Sequence, residues 1–321
     1  MGTARTMTGT ATERPVVFVF GSVNVDLVCR VAAIARPGET VLSARYEQLY
    51  GGKGANQAVA AKRCSALPVA FAGAVGDDDL GRGARRQLDD EGIDTASLAT
   101  AEERTGCAFI AIDEAGENAI TVASGANLEA DAAAIDPQLF RKSSVLVLQM
   151  EIPLGQCRTA AERMAAAGGR VVVNLAPVPT GLTQEELASI LAVSHVLVVN
   201  ESELAAASRV AGISGGTSQE TADRLARQFG LTVIATLGGE GVLIADGRGT
   251  THVPALPIAV VDTTGAGDTF VGVFASGLAG DLSIEAAARR AAVAASLACR
   301  KIGAQTAMPS AAEIDAALAN P

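Results

Sequence analysis

The feature that most constrains this chain is a recurrence. Short β-branched runs with few polar residues alternate with Ala-rich stretches of helical period. The runs are Val16–Phe20, 69–72, 145–150, 171–174, 196–199, 233–237 and Val242–Ala245. Between several of them lie 154–167, Glu201–Val210 and Ser218–Phe229, amphipathic at the period of a helix. Strands that are apolar on both faces belong to a sheet covered on both faces, which is the habit of parallel sheets. The alternation therefore predicts a layered α/β core around a central, mostly parallel sheet. Thr183 with Glu186, and Ser310 with Glu313, have the spacing of capping boxes that open helices. Beyond Val261 the chain is expected to be largely helical, over about 266–280, 284–300 and 310–318.

Two segments break the rhythm. Neither 25–50 nor 105–122 carries a helix period. The second alternates as a hairpin, with strands at 107–112 and 118–122 and a turn over 113–116. The first runs directly into one of the Gly-rich stretches described next, and small β segments at such a site have the form of a lid. A length of 321 residues suggests about two domains at roughly 150 residues each. With no internal repeat and no linker, however, the chain reads as a disordered tail over 1–14 and one α/β domain over 15–321.

Composition removes several classes of function. At 49% hydrophobic and 19% charged residues the chain is not disordered. No apolar run approaches the ~20 residues of a membrane helix. A net charge of -10 with no basic block argues against a nucleic-acid partner, and the absence of Trp argues against a base-stacking platform. The 5 Cys are scattered with no C-x-x-C, so neither zinc nor a redox pair is expected. They read as buried free thiols of a cytoplasmic protein. Residues 1–14 contain no apolar core of a secretory leader. There is no G-x-x-x-x-G-K-[ST], no intact G-x-G-x-x-G after a strand, no G-x-S-x-G and no H-E-x-x-H. His195 and His252 lack any partner pattern and are expected to be structural.

Two Gly-rich stretches carry the chemistry. In the first, Val261 leads through Asp262, Thr263 and Thr264 to Gly265, Ala266, Gly267 and Asp268, then into an apolar helix. Small residues at a helix start let backbone N–H groups converge on an anion. Gly265, Ala266 and Gly267 are thus a candidate anion hole for a transferring phosphoryl group. Asp268, in the first helical turn, is a candidate base for an attacking hydroxyl. The helix dipole makes it a weaker base, which the loose transition state of phosphoryl transfer tolerates. In the second stretch Gly51, Gly52, Lys53, Gly54, Ala55, Asn56 and Gln57 precede an Ala-rich helix. Here glycines allow close backbone approach, while Lys53 and Asn56 add a cation and an amide. Upstream, Asn24 and Asp26 lie on one side of the chain at period two, as groups that read a polyol do.

Taken together, these stretches resemble the PfkB/ribokinase-like carbohydrate kinases, over about residues 16 to 309. The likeness rests on 21–26, Pro37-Gly38-Glu39-Thr40, 51–61, Gly76-Asp77-Asp78, Gly125-Ala126-Asn127, Gln149-Met150-Glu151, 200–203, Thr236-Leu237-Gly238, 262–270 and Gly303-Ala304-Gln305. The resemblance implies a kinase that transfers a phosphoryl group from ATP to the 5-hydroxyl of D-ribose. Deoxyribose, a ketose or a nucleoside is the alternative acceptor, and a non-catalytic sugar sensor is the rival of another class. It implies Asp268 as base and Asn24, Asp26, Gly52, Lys53, Asn56 and Glu151 as sugar-binding residues. ATP would be held by Asn200, Thr236, Gly238, Gly241 and Gly267. Glu203 would order Mg²⁺ indirectly. Asp262 and Thr264, with carbonyls near Ala298, Lys301, Gly303 and Ala307, would hold a monovalent cation, K⁺. The two irregular segments would be a lid that also pairs two subunits into a homodimer. Leu175, Ala292 and Gly265 depart from residues common in ribokinases, and none removes a catalytic group. With so few aromatics, adenine is expected among aliphatic side chains.

Overall fold

A computed structural model describes residues 14–319. The tail expected over 1–14 lies, apart from Arg14, outside the described residues. In chain order the strands are β1 (Val16–Phe20), β2 (Asn24–Arg30), β3 (Tyr46–Gly51), β4 (Val69–Gly76), β5 (Asp94–Ala101), β6 (Gly106–Ile112), β7 (Asn118–Ala123), β8 (Ser144–Leu148), β9 (Arg170–Asn174), β10 (Val196–Asn200), β11 (Thr232–Thr236), β12 (Val242–Ala245) and β13 (Thr250–Val253). The α-helices are α1 (Lys53–Arg63), α2 (Asp79–Asp90), α3 (Leu154–Ala166), α4 (Gln184–Leu191), α5 (Glu201–Val210), α6 (Ser218–Phe229), α7 (Ala266–Ala279), α8 (Ile284–Ala298) and α9 (Ala311–Ala319).

A nine-stranded sheet runs in the order β13-β12-β11-β10-β9-β8-β1-β4-β5. From β11 through β5 every pairing is parallel. Period-two alternation sorts each strand onto two cores. Val17 and Val19 join Ala55 and Val59 of α1, Phe270 and Phe274 of α7 and Ala288 of α8 on one face. Val16, Phe18 and Phe20 join Cys157 of α3, Leu187 of α4 and Leu204 of α5 on the other. Every expected run is a strand, but the edge is not parallel. β12 pairs antiparallel with β11, and β13 antiparallel with β12. Only residues 237–241 separate β11 from β12, too few for a crossover, and a tight turn closes with the Leu237 N–H on the Gly241 carbonyl. β5 and β13 were not foreseen; their Thr, Ser and Asp residues break the apolar pattern.

The chain leaves β1 at Gly21 and enters β2 at Asn24, which starts a four-stranded sheet in the order β3-β2-β6-β7. Its β6–β7 hairpin closes where expected, the Asp113 N–H donating to the Glu117 carbonyl. Asp26 of β2 lies in register with Ala108 of β6, and Ala108 with Val122 of β7. The face that carries Asn24 and Asp26 therefore also carries Ala108, Ile110, Ile120 and Val122. No helix among the described residues is long and apolar enough to cross a membrane.

α1 and α7 approach closely because Gly272 lacks a side chain. A Cβ there would stand 2.2 Å from the Gln57 carbonyl oxygen and 2.8 Å from the Ala60 Cβ. Asp268 lies one turn earlier on the same helix, so this contact sets its distance from α1. Gly272→Ala should lower stability by about 1–3 kcal/mol through overpacking, measured by denaturant unfolding. An unchanged unfolding midpoint would show that the two helices have room to part.

Candidate active site

The site gathers at the carboxyl ends of the parallel strands, where open α/β sheets bind ligands. The chain order of the sheet reverses about β1, with β4 on one side and β8 on the other. Gly21–Asn24 follow β1, Gln149–Glu151 follow β8, Asn174 ends β9, Asn200 ends β10 and Thr236 ends β11. A cavity of about 140 Å³ there is lined by Lys53, Asn174, Asn200, Glu203, Thr236, Gly265, Gly267 and Asp268, among others.

Asp268 is the third residue of α7 and is 9% exposed. Asn56 Nδ2 donates to its Oδ2 at 2.9 Å, and Gln57 Nε2 to its Oδ1 at 3.0 Å. Burial pushes its carboxyl above the usual range; Lys53 and the two amides oppose this, and Glu151 adds to it. The residues expected to form an anion hole, Gly265, Ala266 and Gly267, stand at the head of the same helix. Gly265 is the N-cap at φ 73, a conformation glycine adopts without strain. The Ala266 N–H is already taken by the Thr263 carbonyl at 3.2 Å, whereas those of Gly265 and Gly267 have no acceptor among the described residues. A Cβ on Gly267 would meet nothing within 4 Å, so the space beside it is open.

Lys53 starts α1 and lies among carboxylates. Burial lowers its pKa, but Asp268, Glu151 and Glu203 together overrule this and raise it. Glu151 Oε2 accepts from Ser22 Oγ and from the Lys53 N–H at 3.0 Å. Asp26 is pushed up to about 6, first by burial and then by Glu151. Asn24 Oδ1 accepts from Asn127 Nδ2 at 2.8 Å, which leaves its own Nδ2 as the outward donor. Asn127, the last residue of Gly125-Ala126-Asn127, was legible only as part of the family likeness, not as the brace of Asn24.

Other expected residues fall differently. Gly52 (φ 89) and Gly54 make room for the 21–24 segment: Cβ atoms there would stand 2.7 Å from the Asn24 nitrogen and 2.6 Å from the Ser22 nitrogen. Gly238 and Gly241 sit on the β11–β12 turn, outside the cavity lining. Asn200 and Glu203 form a capping box at the start of α5, unnoticed in the sequence because Asn rather than Ser or Thr opens it. Burial raises Glu203, while the Asn200 N–H and Lys53 lower it. Asp262 accepts from Thr264 Oγ1 at 2.6 Å and from the Gly303 N–H at 2.8 Å, so the 262–264 and 299–307 segments do meet. Burial works against ionisation of Asp262, but these donors prevail and hold it below the usual range. His195 lies at the opposite end of β10, its Nδ1 accepting from the Val171 N–H.

Residues 15–311 match the pfkB family carbohydrate kinase pattern. The chain belongs to that family. It is 36% identical over 303 residues to a ribokinase of Haemophilus influenzae, covering 92% of this chain and 96% of that one. The fold is similar to that of a Thermotoga maritima ribokinase, with a TM-score of 0.88, 32% identity, and coverage of 95% of this chain and 100% of the other. It is also similar to an Arabidopsis thaliana ribokinase complexed with ribose and ATP, with a TM-score of 0.83, 30% identity, and coverage of 95% and 98%. In this pfkB-family kinase the two Gly-rich stretches thus head the two helices, α1 and α7, that frame the cavity.

The raised pKa of Asp26 makes a stability prediction. A carboxyl that binds its proton more tightly when folded has no effect well below its ordinary 3.8, and destabilises progressively as pH rises through about 6. Asp26→Asn should therefore be more stable than the parent by about 1–2 kcal/mol near pH 8 and equal to it near pH 3. Chemical denaturation at the two pH values checks this; a gain independent of pH would remove the burial argument.

Proposed function

We propose that the protein phosphorylates D-ribose at its 5-hydroxyl, using ATP, to give ribose 5-phosphate and ADP. The single observation that supports this best is Asp268: a buried carboxylate held at both oxygens, at the head of a helix with two unused N–H groups. In this reading the 5-hydroxyl approaches Asp268, which takes its proton as the oxygen attacks the γ-phosphorus. The N–H groups of Gly265 and Gly267 hold the charge that spreads over the transferring group. Lys53 adds the nearest positive side chain. Asn24, Asp26, Gly52, Asn56 and Glu151 bind the sugar, and Asn200, Thr236, Gly238 and Gly241 bind the nucleotide. The named likeness to ribokinases favours ribose over deoxyribose, a ketose or a nucleoside.

The residues present fit two ions. Glu203, with one carboxylate oxygen spent on the Asn200 N–H, suits a Mg²⁺ that keeps its waters. Asp262, Thr264 and the carbonyls of Ala298, Lys301, Gly303 and Ala307 are hard oxygen donors of the kind that K⁺ takes. When bound, both ions supply positive charge that an acidic chain lacks. The four-stranded sheet acts as a lid over the sugar, with Ile110, Ile120 and Val122 as its apolar lining, and excludes water that would otherwise hydrolyse ATP. Its exposed side chains, among them Phe109 and Tyr46, support pairing with a second copy as a homodimer. Five free cysteines, of which Cys64, Cys107 and Cys157 are buried, suit the cytoplasm.

ADP release measured across ribose, deoxyribose, fructose and adenosine, in potassium and in sodium-only buffer, tests the reading. Ribose should give the highest kcat/KM, and potassium a higher rate than sodium. A preference for adenosine would transfer the activity to nucleosides, and equal rates in the two buffers would remove the K⁺ site. Asp268→Asn should lower kcat by about 10²–10⁴-fold with a modest change in KM; a near-normal kcat would dismiss Asp268 as base.

A further inference from the structure

Gln57 has no place in the roles assigned so far, yet it is completely buried and its whole amide is engaged around Asp268. Its Nε2 donates to Asp268 Oδ1 and to Asn174 Oδ1, both at 3.0 Å. Its Oε1 accepts from Gln149 Nε2 at 2.7 Å. A carboxylate only accepts, so the NH₂ end of Gln57 must face Asp268, and its carbonyl end must face Gln149. The amide therefore cannot turn over without losing all three bonds. Asn174 ends β9 and Gln149 follows β8, so Gln57 ties a carboxylate on α7 to two strands of the main sheet. The other carboxylate oxygen is held in the same manner. Asn56 donates to it, and Gln305 Nε2 braces the Asn56 Oδ1 from behind at 3.0 Å.

A packing role does not account for this arrangement. Buried amides are unfavourable unless bonded, and an apolar side chain of the same shape would fill the space without that penalty. The chain keeps three amides in line and leaves Gln149 Oε1 without a partner among the described residues. A glycine clears the path of this chain: a Cβ on Gly21 would stand 1.8 Å from Gln149 Oε1.

We propose that Gln57 is a positioning residue for phosphoryl transfer, fixing the plane of the Asp268 carboxylate, while Gln149 fixes the sense of the Gln57 amide. This rests on the reading of Asp268 as the base. The terminal torsion of an aspartate is broad and roughly two-fold, so an unheld carboxylate presents its lone pairs over a wide arc. Holding each oxygen through one donor leaves a defined direction for the incoming hydroxyl. The charged groups facing Asp268 are Lys53, Glu151 and Glu203. Against that fixed background, loss of the Gln57 donor makes the carboxylate easier to protonate.

The test is a double-mutant cycle in the full chain, with ribose, ATP and Mg²⁺. Gln57→Met should lower kcat by about 10–10²-fold while KM for both substrates stays within about threefold. It should move the acid limb of the kcat profile to higher pH. In an Asp268→Asn background the same substitution should cost almost nothing further, because the two residues act as a unit. Equal losses in both backgrounds, or an unmoved acid limb, would make Gln57 a packing residue and overturn the proposal. Should Gln57→Met not fold, the isosteric Gln57→Glu replaces it. A carboxylate beside Asp268 must lower kcat and raise the acid limb, and an unchanged profile overturns the proposal as well. A near-normal kcat in Asp268→Asn alone is a different result, since it removes the base itself.

Discussion

A carboxylate buried at the head of α7 is the constraint on which the rest of this structure depends. Placing an ionised Asp in such a position is prohibitive without compensation. Compensation comes from four directions: the positive end of the helix, the Lys53 ammonium, and the amides of Asn56 and Gln57. The last three all need α1 to lie within reach of α7. The absent side chain at Gly272 permits that approach, and the alanines along α1 keep the rest of the contact thin. The Ala-rich composition of these helices is thus a consequence of site geometry as much as of helix propensity.

The acidic balance of the chain acquires a meaning in the same place. A net charge of -10 gives no global attraction for a nucleotide, so positive potential has to be local. Here it comes from Lys53 and from helix-start N–H groups at Gly265 and Gly267. Carboxylates surround them: Asp268, Glu151 and Glu203 crowd the one ammonium, and burial raises the carboxyls of Asp26, Glu203 and Asp268. A site so poor in cations and so rich in carboxylates cannot by itself hold a polyphosphate against that repulsion. Its own chemistry calls for added cations, which is why metal ions enter the proposed reading.

Most of the main sheet was legible because parallel strands buried on both faces leave unbroken β-branched runs, as at Val16–Phe20 and Ser144–Leu148. β5 was not, since Asp94 and Thr100 face outward at the sheet edge and, with the buried Ser97, dilute the pattern. The direction of β12 follows from loop length, a signal present in the sequence but outweighed by the parallel rhythm. At the site, glycines and a first-turn acid mark the heads of α1 and α7, because those positions demand special backbone. The supporting amides left no such mark. Gln57 stands in an Ala-rich helix and Gln305 in a polar loop, and neither spacing nor residue type shows that both reach Asp268 or its partner Asn56. That information resides in the crossing of α1 and α7, which only the fold supplies.

The same division explains the small sheet. β2 is reached directly from β1 through Gly21–Val23, so Asn24 and Asp26 are placed by the core, not by the mobility of a loop. β6 pairs with β2 and β7 with β6, and β7 is exposed along its whole length. Ile120 and Val122 thus stand in solvent, 54% and 52% exposed, on the face that carries Asp26. Apolar side chains on that face lower the local dielectric once they are covered. The group they would most affect is Asp26, whose pKa burial has already raised. A sugar hydroxyl that donates to Asp26 opposes that shift. In the proposed reading, covering the face favours a charged Asp26 only when a polyol lies beneath it, and closure of the sheet is then coupled to the chemistry of its ligand.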